Sequence, residues 1–306
     1  MKKNKFFLFV FLVLMFIAII ISPGKFISAG LNGFSAWTFN VLPSVLPFMI
    51  ISSLLLSTGY IKKICKPFAR PFKKLFNTGS YSAYTFFVSI ISGYPVGSKI
   101  IAELYEEKKI SKSDAVRMSS FCSNSGPMFI VGAVGVSMLL SATAGYVILL
   151  SHILGAVFNG FLYRNYKIKE EPRILIQVPQ KSHSFADIIE NSCKSILLVG
   201  TIISFFFIII EFLSIPLAFL SPQVQSVIFG IVEITKGCSM ISANFSIKTA
   251  IVLSSIIITF GGLSTIIQST SLLKRVNMPI RLFALQKFSQ AIFSGVISLA
   301  LVNVLL

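Results

Sequence analysis

From Ser80 to Ala102 the chain reads SYSAYTFFVSIISGYPVGSKIIA, an apolar stretch interrupted at Ser92-Gly-Tyr-Pro-Val-Gly-Ser-Lys99. Its length suits a membrane crossing, but its flanks argue against one. Lys62, Lys63, Lys66, Arg70, Lys73 and Lys74 precede it, and Lys99, Lys108, Lys109, Lys112 and Arg117 follow it. A full crossing would put one of these basic flanks outside, against the excess of Lys and Arg in cytoplasmic loops. A stretch that enters and returns as a helical hairpin keeps both flanks on one side. Counted this way, all 27 Lys and Arg except Lys25, Lys236 and Lys248 gather at the cytoplasmic face. The same counting makes Val224–Asn244 a second hairpin, entering from the opposite side between the nearly uncharged Ser221-Pro222 and Ser242–Ser246.

Composition sets the class around these hairpins. Of 306 residues, 55% are hydrophobic and 12% charged, and the mean hydropathy is +0.86. Soluble domains run near one quarter charged, so the chain is expected to be an integral, multi-pass, all-α membrane protein. The net charge of +17 does not point to nucleic acid, because the basic residues sit at the ends of apolar blocks. Such clusters orient helices and attract anionic headgroups. The expected partners are therefore the lipid bilayer and a small solute, with no nucleic acid; self-association into a homo-oligomer stays open. Cys65, Cys122, Cys193 and Cys238 form no CxxC, and with only His152 and His183 no metal-ligand spacing arises. No metal, cofactor or catalytic residue is expected, since the spans hold no nucleophile–base pair.

The remaining apolar blocks are Phe6–Ile21, Ala36–Thr58, Met118–Leu139, Thr143–Tyr163, Ser195–Phe219, Thr249–Leu273 and Leu282–Leu305. The first, behind the basic Met1–Lys5, reads as an uncleaved helix with a cytoplasmic N-terminus, over residues 1–33. Residues 111–120 (SKSDAVRMSS) resemble 246–255 (SIKTAIVLSS), and the register lays Gly126-Pro127 on Gly261-Gly262. Each half then reads spanning helix, hairpin, broken helix. Repeat 1 covers 34–163, with its hairpin at about 80–108 and its broken helix at 118–139. A linker at 164–184 joins it to repeat 2 over 185–306, with a hairpin at about 224–244 and a broken helix at 249–273. Three crossings separate equivalent points, which inverts the second half. Inverted repeats with discontinuous helices are the architecture of secondary transporters, whose site lies at the midplane.

The chemistry is expected at the four breaks. In the first tip, Pro95 removes a donor and Gly93 and Gly97 permit turns, so helix cannot continue through Tyr94. The half-helix that follows aims its free N–H groups at the tip, which suits an anion; Ser98 and Lys99 join it. Ser123-Asn124-Ser125-Gly126-Pro127 breaks the next span and offers hydroxyl and amide partners. The alternative for that break is a packing kink. The second tip is Glu233-Ile-Thr235-Lys236-Gly237, and two ionisable residues at membrane depth cost roughly 2.5–3.5 kcal/mol each. Either Glu233 and Lys236 neutralise each other, or Lys236 holds a carboxylate while Glu233 positions it or carries a coupling proton. Gly261, Gly262, Ser264 and Gln268 form the second broken helix. His152 reads as a hydrogen-bonded packing residue. Trp37, Tyr60 and Tyr163 read as interfacial belt residues, and Phe185–Lys194 as an amphipathic stretch on the cytoplasmic surface.

Together, Gly93-Tyr-Pro-Val-Gly-Ser-Lys99, Ser120-Phe-Cys-Ser-Asn-Ser-Gly-Pro127 with Gly132-Ala-Val-Gly135, Glu233-Ile-Thr-Lys-Gly237 and Gly261-Gly-Leu263 resemble the YlbJ-type sporulation integral membrane proteins. These belong with the nucleoside-recognition, or Gate-domain, membrane proteins. The resemblance implies a fold similar to concentrative nucleoside transporters and a place in the bacterial cell membrane or the outer forespore membrane. It also implies export of dipicolinic acid from the mother cell during sporulation. Dipicolinate is a planar dianion; Lys99 and Lys236 would meet its carboxylates, Asn124 and the tip hydroxyls its remaining oxygens, and Tyr94 its ring. A cytoplasm-negative potential drives anions outward by about 2.3 kcal/mol per charge per 100 mV. A nucleoside transporter and a non-transporting scaffold of spore formation are the alternatives.

Overall fold

Proline and glycine placement decides where each helix starts and stops. In the computed structural model, which describes residues 2–168 and 184–305, the elements are helical throughout. They run α1 Lys2–Ile21, α2 Pro23–Ala36, α3 Leu42–Ser57, α4 Ile61–Ile64, α5 Ala69–Phe76, α6 Tyr81–Ser92, α7 Val96–Glu106 and α8 Lys112–Ser119. After these come α9 Ala142–Leu162, α10 Phe185–Ser214, α11 Pro222–Val232, α12 Ile234–Asn244, α13 Ile247–Phe260, α14 Gly262–Leu273 and α15 Ile280–Leu305. Among the described residues, four helical stretches are long and apolar enough to cross a membrane: α9, α10, Ile247–Val276 and α15. A fifth arises if the bent pair Lys5–Ile21 and Pro23–Phe39 is counted as one span. The chain is an all-α polytopic membrane protein.

The N-terminal boundaries differ from the sequence reading. The first helix ends at Ser22-Pro23, where the chain turns by 107°. No break falls near Ala36; α2 passes into α3 through a π-helical turn, Trp37–Val41. Pro43 explains that turn, because a proline inside a helix removes one hydrogen bond and crowds the carbonyl four residues back, which an inserted residue relieves. Trp37 is buried there, its indole lying where a Cβ on Gly200 of α10 would fall. Phe185–Lys194 is not a separate surface segment. It is the first part of the 30-residue α10, opened by a capping box between Ser184 and Asp187. Most of the linker expected at 164–184 lies outside the described residues, at 169–183, together with His183.

The order of elements repeats. A long helix (α3; α10) precedes two helices that fold back on each other (α6–α7; α11–α12), and a helix interrupted by a break follows (α8 to Met138; α13–α14). Ser111 and Ser246, which the repeat register sets opposite each other, both stand at the N-terminal cap position of the helix that opens this last unit, and Ser111 accepts the Asp114 backbone N–H there. The interruptions are unequal. In the first, α8 stops at Ser119, residues 120–127 run without helix apart from a brief turn, and a wide π-helical segment follows over Met128–Met138. In the second, helix is lost only at Gly261, whose φ of +88° suits glycine. Helices α9, α13 and α15 pack together at the centre. Phe72, Phe76, Phe86 and Phe121 lock α5 and α6 onto the start of the first break, with Phe76 and Phe121 stacked at 4.3 Å.

Candidate functional site

The tip between α6 and α7 is pressed into the first break by its glycines. A Cβ on Gly97 would overlap the carbonyl oxygen of Cys122, and one on Gly93 would lie 2.8 Å from the amide nitrogen of Gly126. Only bare backbone allows this approach. Tyr94, between those glycines and joined to Pro95 by a cis peptide bond, extends across to the second break. Its hydroxyl lies 3.3 Å from the carbonyl oxygen of Thr259 and 3.4 Å from that of Ile258, at the end of α13. Its ring also packs beside Gly261. One aromatic side chain therefore joins both breaks.

The charge at this junction comes from α15. Lys287 is 1% exposed, and its ammonium donates to Tyr94 Oη (2.8 Å), to the Ser123 carbonyl (2.8 Å) and to Gln290 Oε1 (2.7 Å). Gln290 in turn donates to Asn124 Oδ1 at 3.2 Å, while the Asn124 amide donates to Ser89 Oγ and the Phe121 carbonyl. His152 of α9 clamps the two breaks from the far side. Its Nε2 accepts the Ser125 backbone N–H at 3.0 Å, which leaves the proton on Nδ1, 2.8 Å from Thr259 Oγ1. Thr259 donates to Ser294 of α15 at 3.0 Å. Among the described residues, the buried hydroxyls of Ser92, Ser98 and Ser123 have no hydrogen-bond partner.

Among the described residues, Lys287 makes no ion pair. Its three donors meet three neutral oxygens, so its positive charge is solvated but not cancelled. An ammonium in such surroundings is costly to bury and favours an anion beside it.

The sequence-expected residues fall into three groups. Tyr94, Pro95, Gly97, Ser98, Ser123, Asn124, Ser125, Gly126 and Gly261 lie at or beside this junction. Lys99 does not: four residues before Glu103 on α7, it turns toward α3 and α10. There it pairs with Glu103 at 3.0 Å and donates to Ser53 and Ser192. The second tip is organised differently from the expectation as well. Glu233 is buried and caps α12, accepting the Lys236 backbone N–H at 2.9 Å and bonds from Thr235. It neither pairs with the Lys236 ammonium nor positions it, and the Lys236 side chain is exposed. Gly237 packs directly on Gly230, which closes the α11–α12 pair, and Gly262 sits against the last carbonyls of α11. Gln268 donates to Ser264 one turn away along α14. Replacing Lys236 by alanine is expected to change stability by no more than about 0.5 kcal/mol, as for an exposed surface position; thermal unfolding in detergent checks this.

Lys287, Gln290 and Thr259 were missed in the sequence. The charge count places Lys287 with the cytoplasmic basic residues, although it lies inside the apolar block Leu282–Leu305. The signal is its spacing: Lys287, Gln290, Ser294 and Ser298 recur at three or four residues, and all are buried.

The nucleoside-recognition (Gate) family model matches residues 38–141, the part that carries the first tip and the first break. The chain is 26% identical to the sporulation integral membrane protein YlbJ of Bacillus subtilis (strain 168), over 96% of this chain and 82% of that protein. No solved structure matches the chain. The likeness to YlbJ runs through both breaks and α15, and the Gate match covers the first break. The chain is thus a polytopic membrane protein similar to YlbJ over most of its length and to the Gate family over residues 38–141.

Proposed function

We propose that this protein is a non-enzymatic membrane transporter of a small organic anion, acting in spore formation as the name of its Bacillus relative suggests. The observation that carries the reading is the Lys287 ammonium, buried among neutral oxygens where two helix breaks meet. Tyr94, Asn124, Gln290 and the free hydroxyls of Ser98 and Ser123 supply the polar and ring contacts that a flat carboxylic acid needs. Dipicolinate, a planar dianion, is the solute we assign, moved out of the mother cell across the outer forespore membrane. In this reading the α6–α7 and α11–α12 pairs are re-entrant hairpins, and the basic loops and the N-terminus face the cytoplasm.

A nucleoside is the second reading. It is favoured by the Gate match over 38–141 and by the neutral amides and hydroxyls around Tyr94. The test is flux into proteoliposomes containing the purified protein, comparing labelled dipicolinate with labelled nucleoside at an imposed potential. Potential-driven dipicolinate flux supports the anion reading. Nucleoside flux alone transfers the site to the neutral solute, and no flux from folded protein supports a scaffold.

A further inference from the structure

A cleft separate from the Tyr94 junction lies between α3, α7, α10 and the turn after α14. It is lined by Ser53, Lys99, Glu103, Glu106, Asn191 and Arg275, among others. It follows the face of α7 that leads away from the tip, starting two residues beyond Gly97. Lys99 closes its inner end and is 4% exposed. At its outer end Arg275 pairs with Glu106 at 2.9 Å, both half-exposed. The inner end is built around a carboxylate. The Lys99 ammonium lies 3.0 Å from Glu103 Oε1, and Ser53 donates to the same carboxylate at 3.0 and 3.2 Å. Ser192 and the Met49 carbonyl hold the ammonium in place from α10 and α3. The donors are buried, whereas the Glu103 side chain is 20% exposed toward the cleft.

We propose that Lys99 and Ser53 form a carboxylate-binding station at the inner end of this cleft, occupied in the present structure by the protein's own Glu103. An incoming organic carboxylate takes the same two donors while Glu103 swings outward, where Arg275 on the cleft wall offers a second cation. The proposal rests on the anion reading for the solute's class, but it concerns a different lysine on a different helix.

The test is equilibrium binding of labelled dipicolinate, and of the monocarboxylate pyridine-2-carboxylate, to the purified full-length protein. Glu103→Gln keeps the volume and a hydrogen bond to Ser53 but removes the competing charge. It is expected to bind both acids about tenfold more tightly, a gain that misfolding cannot produce, with nucleoside binding unchanged. Lys99→Met added to Glu103→Gln is expected to abolish the gain. Unchanged affinity in Glu103→Gln, a gain that survives loss of Lys99, or no acid binding in either form overturns the station. Dipicolinate flux that persists while Glu103→Gln gains no affinity defeats the station and leaves the transporter reading standing. Nucleoside-only flux with a tenfold gain in acid affinity does the reverse.

Discussion

Lys287→Met is expected to lower potential-driven dipicolinate flux at least about 100-fold while leaving the protein folded. An anion at the junction displaces two of the three neutral oxygens from this ammonium and takes charge-assisted hydrogen bonds in their place, together about 3 kcal/mol, and each 1.4 kcal/mol is tenfold. Stability responds differently. Methionine strands the Ser123 carbonyl and Gln290 Oε1, at about 1–3 kcal/mol each, but it also removes the desolvation cost of a buried charge. The two largely offset, so the melting temperature in detergent should move by only a few degrees. Flux and melting measured on the same preparation check both halves. Lys287→Gln separates the solutes, since a nucleoside needs a hydrogen-bonding group there but no charge. Dipicolinate flux that survives Lys287→Met removes the basis of the anion site.

Gly97→Ala is expected to be the most damaging small substitution in the chain. The added methyl would collide with the carbonyl oxygen of Cys122, a backbone atom that no rotamer change can move aside. Overpacking usually costs about 1–3 kcal/mol where side chains can yield; here the tip must lift off the break, so at least about 3 kcal/mol is expected. Gly132→Ala serves as the control, because a Cβ there meets nothing within 4 Å. Thermal unfolding of the two variants should differ by many degrees. Flux in Gly97→Ala should vanish even at temperatures where the protein stays folded, because Tyr94 follows the tip. Equal stability of the two variants would show that the tip is not seated on the break.

How much of this was legible depends on what kind of residue marked each feature. The breaks announced themselves, because Gly93, Pro95, Gly126-Pro127 and Gly261-Gly262 act on the backbone locally, whatever surrounds them. Side-chain direction was harder to read. Lys99 and Lys236 stand near tips, but helix phase turns one toward Glu103 and leaves the other exposed. Nothing in a tip motif states that phase. Lys287 was hidden by its company, a single charge in a strongly apolar block that fitted the count of cytoplasmic basic residues. The continuity of α2 with α3 depends on a π turn absorbing Pro43, and the start of the first break is seated by Phe121 packing on Phe72 and Phe76. Both are matters of packing, which periodicity does not carry.

The chain contains one tryptophan, Trp37, wedged where the α2–α3 junction meets Gly200 of α10. Excited selectively over the eight tyrosines, its fluorescence therefore reports on one place in the fold, with no label to attach. A shift of emission on adding solute would record movement between the helices that precede the two fold-back pairs. A fixed spectrum during active flux would identify that contact as the stationary frame against which the rest of the protein works.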